Sequence, residues 1–438
     1  ETFFKGIYKL MPGHMLLYKN GNYEIKTYFK TKLTPGKWNR TTNMDQLRSQ
    51  LAEILKDSVK HHMLSDVEVG AFLSGGVDSG YLASASGADQ AFTVGFDEGD
   101  RYSEVNKAAK VAEKTGLKHH VKIISKQEFW DALPDVMYHM DEPLGDASAV
   151  ALYFLSKEAA GHVKVVLSGE GADELFGGYN IYREPEALKK VAWIPFVLRR
   201  AVRKLAAKLP DVKGRDFLIR AGMKVEERFI GNAYIYREKE KAQILKNKVT
   251  GPSTQEYLRP FFEELESENR GLLQDMEKMQ SVDLSYWLPG DILQKADKMS
   301  MAHSLEVRVP FLDKEVFNFA AKLPKEAKIA AGTTKYIFRK AVSEFLPQET
   351  NERKKLGFPI PIRVWLRQDD WYQMVTDLFT SKAAEEFFRT EELLQLLKDH
   401  KDKKADNSRK IWTVLTFLIW YDRFFATCSK GELVTRLQ

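Results

Sequence analysis

Two short stretches hold most of the residues able to do chemistry. The first is Leu73-Ser74-Gly75-Gly76-Val77-Asp78-Ser79. Glycines let a backbone come close to a ligand, and successive N–H groups can point into one concavity. The start of a following helix adds partial positive charge. The hydroxyls of Ser74 and Ser79 add donors, so the turn suits a chain of phosphates. Asp78 is out of place against an anion alone; it fits if it holds Mg2+ that bridges to the phosphates. The Gly-Lys-Ser/Thr ending of a Walker A loop is missing. Read by itself, such a turn is equally well a plain strand-to-helix connection. The second stretch is Ser168-Gly169-Glu170-Gly171-Ala172-Asp173-Glu174-Leu175-Phe176-Gly177-Gly178-Tyr179. Its three carboxylates, taken alone, read as solvated groups capping the next helix. Taken with the first stretch they read differently. Asp78 and Asp173 are far apart in sequence, yet both follow a predicted strand and could converge on one metal.

That convergence needs a scaffold. From Asn43 the chain turns helical, with Leu47, Leu51, Ile54, Leu55 and Val59 on one face. Residues 67–73 read as a buried strand running into the first stretch. Strands follow at 91–96, 120–124 and 163–167, the last feeding the second stretch. Helices are predicted at 103–115 with Ser103 as N-cap, at 127–140 and at 148–160. This alternation predicts an α/β fold, a parallel twisted sheet with flanking helices. Ligands in such sheets lie outside the carboxyl ends of the strands, where both stretches fall. From about Asn180 the periodicity is mainly helical, without repeats. The expected organisation is a parallel α/β core over about 41–180 and a helical lobe over about 181–438. Before it, apolar runs flank Asn20-Gly21, a strong hairpin signal. A lone hairpin needs something to pack on. Residues 1–40 are read as the β remnant of an upstream domain, with a native β extension as the alternative.

Composition excludes several classes. The chain has 438 residues, 44% hydrophobic and 29% charged, which fits a folded protein rather than a disordered one. The net charge of +6 is too dilute to demand a nucleic-acid partner. One cysteine, Cys428, rules out an intramolecular disulfide framework and points to a reducing, cytoplasmic setting. The apolar run 412–425 is interrupted by Asp422 and Arg423 and is too short to span a bilayer.

The first stretch resembles the pyrophosphate loop of the ATP pyrophosphatases. Together with the second, it resembles the synthetase domain of the glutamine-hydrolysing asparagine synthetases, an adenine nucleotide α-hydrolase-like fold. Further matches are Asp297-Lys298-Met299-Ser300-Met301-Ala302, Leu305-Glu306-Val307-Arg308-Val309-Pro310-Phe311-Leu312-Asp313, Thr334-Lys335-Tyr336 with Arg339, and Lys355-Leu356-Gly357-Phe358-Pro359. The match covers about 45–370. The opening Phe4-Lys5-Gly6-Ile7 with Pro12-Gly13-His14 resembles the end of the family's glutaminase domain.

The resemblance implies adenylation of aspartate by ATP to β-aspartyl-AMP and pyrophosphate, then displacement of AMP by ammonia. It implies that Leu73 and Val94 contact the adenosine and that Ser168 and Gly169 contact the AMP portion. Ser74, Gly75, Gly76 and Ser79 hold pyrophosphate, and Asp78 and Asp173 bind Mg2+. Glu170 supports the intermediate and takes a proton from ammonia; Lys335 offsets charge on the reacting phosphate. The implied substrates and partners are ATP, aspartate and ammonia, with glutamine as the nitrogen source in a full-length protein. A homodimer is a candidate assembly; nucleic acid and membrane are not partners. The family's glutaminase uses an N-terminal cysteine. Residue 1 is Glu, so this chain is expected not to hydrolyse glutamine. Gly80 departs from the usual Ser or Thr. Rival readings are a β-lactam synthetase, whose relatives carry Tyr where Glu170 stands, and a non-catalytic nucleotide-binding scaffold.

Other features have bland readings. His61-His62 is a helix-end surface pair. His119-His120 lacks a Cys or carboxylate partner at metal spacing and is read as structural. His303 either lines the site or only packs. Residues 400–404 read as an exposed charged loop, and Arg353-Lys354-Lys355 as surface or a loop near phosphate. Leu198, Val202, Leu205 and Leu209 alternate with Arg199, Arg200, Arg203, Lys204 and Lys208, and a solvated face is favoured over RNA or membrane binding.

Overall fold

The computed structural model describes residues 2–36, 43–99, 102–210, 212–232, 234–353, 357 and 359–426. It opens on an antiparallel hairpin, β1 (His14–Lys19) and β2 (Asn22–Thr27), turned at Asn20-Gly21 with positive φ at both residues. That is the conformation a tight hairpin turn demands. Helix α1 (Met44–His62) begins where the Asn43 side chain accepts from the backbone N–H groups of Asp45 and Gln46, both at 3.0 Å. Its last turn carries Lys60, His61 and His62 against the helix dipole.

The main sheet is parallel with strand order β5-β4-β3-β6-β7. The strands are β3 (Val69–Phe72), β4 (Gln90–Phe96), β5 (Lys118–Ile124), β6 (Val165–Leu167) and β7 (Glu306–Arg308). β3 and β6 are buried throughout, as expected for strands covered on both faces. Val69, Ala71 and Leu73 face the side of α1, α2 (Val77–Ala85) and α3 (Val105–Thr115). Phe72, Phe92 and Val166 face the other side, near the end of α6 (Ser148–Ala160). Leaving β3, the chain pairs first with β4 on one flank and later with β6 on the other. The order therefore reverses between β3 and β6, the place where α/β sheets open a crevice.

Three expectations are corrected. The parallel sheet is not confined to the residues before Asn180, because β7 comes from the mainly helical region beyond it and closes one edge. Its three residues include Glu306 and Arg308, so no apolar run announced it. The helix expected over 127–140 is two, α4 (Lys126–Asp131) and α5 (Leu133–Met140). Pro134 has no N–H to continue a helix and takes the first turn of the second one instead. Of the segment 400–404, only residues 402–404 form an exposed turn. His400 ends the helix Thr390–Lys401 fully buried, with its ring bonded to Arg363 O at 3.0 Å.

The apolar C-terminal run forms the helix Ser408–Tyr421, interior to the protein. Ile411, Trp412, Leu415 and Leu418 pack with Phe129, Leu133 and Val136 of α4 and α5 and with Val150 of α6. Among the described residues no helix is long and apolar enough to cross a membrane.

Candidate active site

The turn after β3 and the turn after β6 lie side by side. A Cβ on Gly169 would meet Asp78 Cβ at 3.1 Å and Ser79 N at 3.3 Å, so glycine lets the two turns touch. In the first turn the serine hydroxyls organise the loop. Ser79 Oγ accepts from Ser74 N at 2.9 Å and pairs with Ser74 Oγ at 2.8 Å, and Gly76 N donates to Ser74 Oγ at 3.1 Å. Gly76 caps α2, which puts Val77 and Asp78 in the first helical turn. In the second turn Gly171 has φ +88° and starts α7 (Ala172–Phe176). A side chain there would overlap Leu312 as well as strain the backbone.

Asp78 and Asp173 meet on one cation. Lys335 Nζ lies 2.7 and 2.6 Å from the two oxygens of Asp78 and 2.7 Å from Asp173 Oδ1. The lysine is 1% exposed. Its backbone has φ +54°, left-handed for a non-glycine residue, at the start of the helix Tyr336–Ala341. Such a conformation costs on the order of 1–3 kcal/mol and persists only where its surroundings impose it. Here the two carboxylates are those surroundings. Gly178 completes the fit, since a side chain there would overlap the Asp173 carboxylate and Lys335 Cε.

These residues wall a cleft of about 1100 Å³ at the carboxyl ends of the strands. Leu73, Ser74, Gly76, Asp78, Ser79, Val94, Ser168, Gly169, Glu170, Asp173 and Lys335 all line it. Gly75 sits under Arg353, whose Nη1 donates to Gly75 O at 3.0 Å while Nη2 pairs with Glu104 at 3.1 Å. Glu170 differs from the other acids. Its Oε2 is buried without a hydrogen-bond partner among the described residues. A buried carboxylate oxygen left unpaired is costly, which marks it as a group kept for a ligand or a proton. The carboxylates fit Mg2+. Two hard oxygen donors from separate turns already share one cation, and Mg2+ takes one or two carboxylates with phosphate and water for the rest.

The sequence reading missed a second ring of charge. Lys295 pairs with Asp146 and, at 2.9 Å, with Asp291, and all three line the cleft. Asp291 and Lys295 are four residues apart, a spacing the sequence shows, whereas only the fold brings Asp146 to them. Asp291 belongs to a π-helical segment, Asp283–Ile292, that also presents Tyr286, Trp287 and Gly290. Glu174 is read differently by the structure than as a solvated cap. It is 1% exposed and accepts from Tyr179 Oη at 2.5 Å. Burial, and then the charge of Asp173, pushes its carboxyl up to about 7. Arg353 lies at the turn after β3 rather than on plain surface; Lys354 and Lys355 lie outside the described residues. His303 is not on the cleft wall; its ring packs on Tyr153 at 4.3 Å.

Comparison with known proteins gives the chain's family. A family model described as asparagine synthase matches residues 50–422. Asparagine synthetase [glutamine-hydrolyzing] 1 of Bacillus subtilis (strain 168) is 44% identical over 419 residues, covering 94% of this chain and 65% of that protein. A putative asparagine synthetase [glutamine-hydrolyzing] of Mycobacterium tuberculosis (strain ATCC 25618 / H37Rv) is 41% identical over 390 residues, covering 88% of this chain and 59% of that protein. More distantly, amidase chry2 of Gibberella zeae is 24% identical over 471 residues. The chain thus spans about three-fifths of the curated bacterial relatives it matches most fully. The matched region contains both strand-end turns, Lys335 and the added strand β7, and the chain belongs to the asparagine synthase family.

Proposed function

We propose that this chain is a synthetase unit that converts aspartate to asparagine with ATP, releasing AMP and pyrophosphate. The observation that carries the reading is the cleft itself: two carboxylates sharing a cation, a phosphate-type turn, and Glu170 Oε2 left unpaired beside them. A carboxylate is a poor electrophile, and adenylation supplies a leaving group. In the first step a β-carboxylate oxygen of aspartate bonds to the α-phosphorus and the bond to the β-phosphate oxygen breaks. In the second step ammonia bonds to the acyl carbon, the bond to AMP breaks, and a proton leaves nitrogen.

Each residue then has a task. Leu73 and Val94 give the adenosine an apolar wall, and Ser168 and Gly169 hold the AMP portion. The hydroxyls of Ser74 and Ser79 and the backbone of Gly75 and Gly76 orient the pyrophosphate. Lys335 offsets the charge of the reacting phosphate, a fixed charge in a dry site. Glu170 takes the proton from nitrogen. Asp78 and Asp173 would hold Mg2+, which neutralises phosphate charge when bound.

The nitrogen donor proposed for this chain is ammonia, with glutamine as the source in a longer protein. Consistent with a neighbouring β domain, the hairpin leaves Met15, Leu16, Leu17, Tyr18, Tyr23 and Ile25 exposed. The test is pyrophosphate release from ATP and Mg2+ with aspartate and an ammonium salt, with and without glutamine. Release that requires aspartate, with asparagine identified by mass and glutamine unable to replace ammonium, is the expected result. Release driven by a different carboxylate, or tight ATP binding without turnover at any ammonium concentration, would overturn it.

A further inference from the structure

A second cluster of ligating groups lies at the opposite rim of the sheet from the cleft. His120 stands near the amino end of the edge strand β5, paired in register with Phe92 of β4. Glu158 is in the last turn of α6, and His162 follows that helix just before β6. One ligand atom from each of the three lies within 4.8 Å of the others. The imidazoles of His120 and His162 are 3.9 Å apart between centroids, and His162 Nε2 is 3.7 Å from Glu158 Oε1. His120, which has no carboxylate partner at metal spacing in the sequence, thus has one in space. The partner was hidden because the helix-to-strand return from α6 to β6 brings it alongside β5, and no spacing in the sequence shows that.

The surroundings hold the cluster in a ligating form. Gln90 Nε2 donates to Glu68 at 2.6 Å, which leaves Gln90 Oε1 to accept from His120 Nε2 at 2.8 Å. The network thereby sets the tautomer and leaves Nδ1 as the basic nitrogen of His120. An outer partner of this kind, fixing ring and tautomer, is what metal-bound histidines ordinarily have. Phe92 supports both rings, stacked on His120 at 5.1 Å and tilted to His162 at 5.7 Å. Two imidazoles in contact cannot both be protonated without repulsion, whereas two neutral imidazoles and a carboxylate suit one divalent cation. The His162 side chain is about one-third exposed, which gives an ion a way in and leaves room for water as a further ligand.

We propose that His120, Glu158 and His162 form a binding site for a borderline divalent transition-metal ion, Zn2+ foremost, that ties the end of α6 to the edge strand. Two imidazoles and one carboxylate with an open position are a common Zn2+ donor set, and Mg2+ or Ca2+ would reject it in favour of oxygen. The site is separate from the cleft and from the reading of its function.

The test uses the tag-free chain, stripped of metal by chelation and titrated calorimetrically with ZnCl2, with thermal melts alongside. Saturable binding of one Zn2+ per chain at this site is expected, with a rise in Tm as the ion ties helix to strand. His162→Ala, at a partly exposed residue, should weaken binding at least about tenfold and abolish the rise in Tm, with pyrophosphate release in metal-matched Mg2+ buffer unchanged. Asp78→Asn, which alters the cleft carboxylates, should leave that Zn2+ binding intact. Absence of saturable Zn2+ binding, or binding and melting that His162→Ala does not change, would overturn the proposal.

Discussion

Lys335 holds two carboxylates with one ammonium and is 1% exposed. Removing one partner of a buried ionic group strands the others, at a cost of about 3–5 kcal/mol. Lys335→Ala should therefore lose about that much stability in metal-free buffer, measured by urea unfolding, and Mg2+ should restore part of the loss. In the pyrophosphate assay the same variant should fall at least about 100-fold. Unchanged unfolding without metal would mean that the lysine does not hold the pair. Asp283 shows the opposite device, a carboxyl kept neutral. It is fully buried, accepting from Tyr182 Oη at 2.6 Å and Asn232 Nδ2 at 2.9 Å, and burial pushes it up to about 8. A carboxyl whose folded pKa is raised stabilises the fold fully below its unfolded value of 3.8. That contribution is lost as pH climbs toward 8. Asp283→Asn removes the titration, so its stability relative to the parent should rise steadily from pH 5 to 8. A pH-independent difference between the two would refute the assignment. At this scale the sequence was legible where chemistry clusters in one turn, as at Ser74 to Ser79. It was opaque for Asp146 and Asp283, whose partners come from distant elements.

At the scale of elements, the legible parts were those with local signals. Asn20-Gly21 set the hairpin, Asn43 capped α1, and continuous apolar runs marked β3 and β4. β7 carried no such signal, because a three-residue edge strand owes its place to pairing with β6 rather than to its own hydrophobicity. Pro134 was a local signal that went unheeded in the reading of one long helix over 127–140. Gly80 is held as glycine in α2 for a packing reason. A Cβ at that position in α2 would come within 2.8 Å of Leu346 Cδ2, and Leu346 is itself buried. Glycine costs a helix interior about 1 kcal/mol against alanine, yet overpacking costs about 1–3 kcal/mol. Gly80→Ser should thus be destabilising by roughly 1 kcal/mol. Combined with Leu346→Val it should cost less than the sum of the two single changes, because the smaller side chain makes room. Strict additivity in chemical denaturation would show that Leu346 is not what excludes a side chain at 80.

At the scale of the molecule, the stretch beyond residue 370, where the sequence motifs ran out but the family model continues to 422, completes the core that backs the cleft. Trp412 is 1% exposed, packs on Phe129 at 5.8 Å between centroids and also lines the cleft. Its hydropathy was readable in sequence; its partners were not, because α4 to α6 and the helix Ser408–Tyr421 are joined only through the fold. Val94, Phe96 and Ile124 of the sheet share one buried cluster with that helix, so core and C-terminal helix should unfold together. Truncating a buried aromatic to alanine costs about 3–5 kcal/mol through lost contacts and the cavity left behind. Trp412→Ala should therefore lower stability by that amount, with far-UV and near-UV transitions still coincident. Its effect on aspartate-dependent turnover should follow from the cleft wall: KM for aspartate or ATP rises, while Lys335 and Glu170, held by other elements, keep their geometry. Two separated transitions in the parent chain would mean instead that the C-terminal helices form a unit of their own, and that the cleft draws its rigidity from the parallel sheet alone.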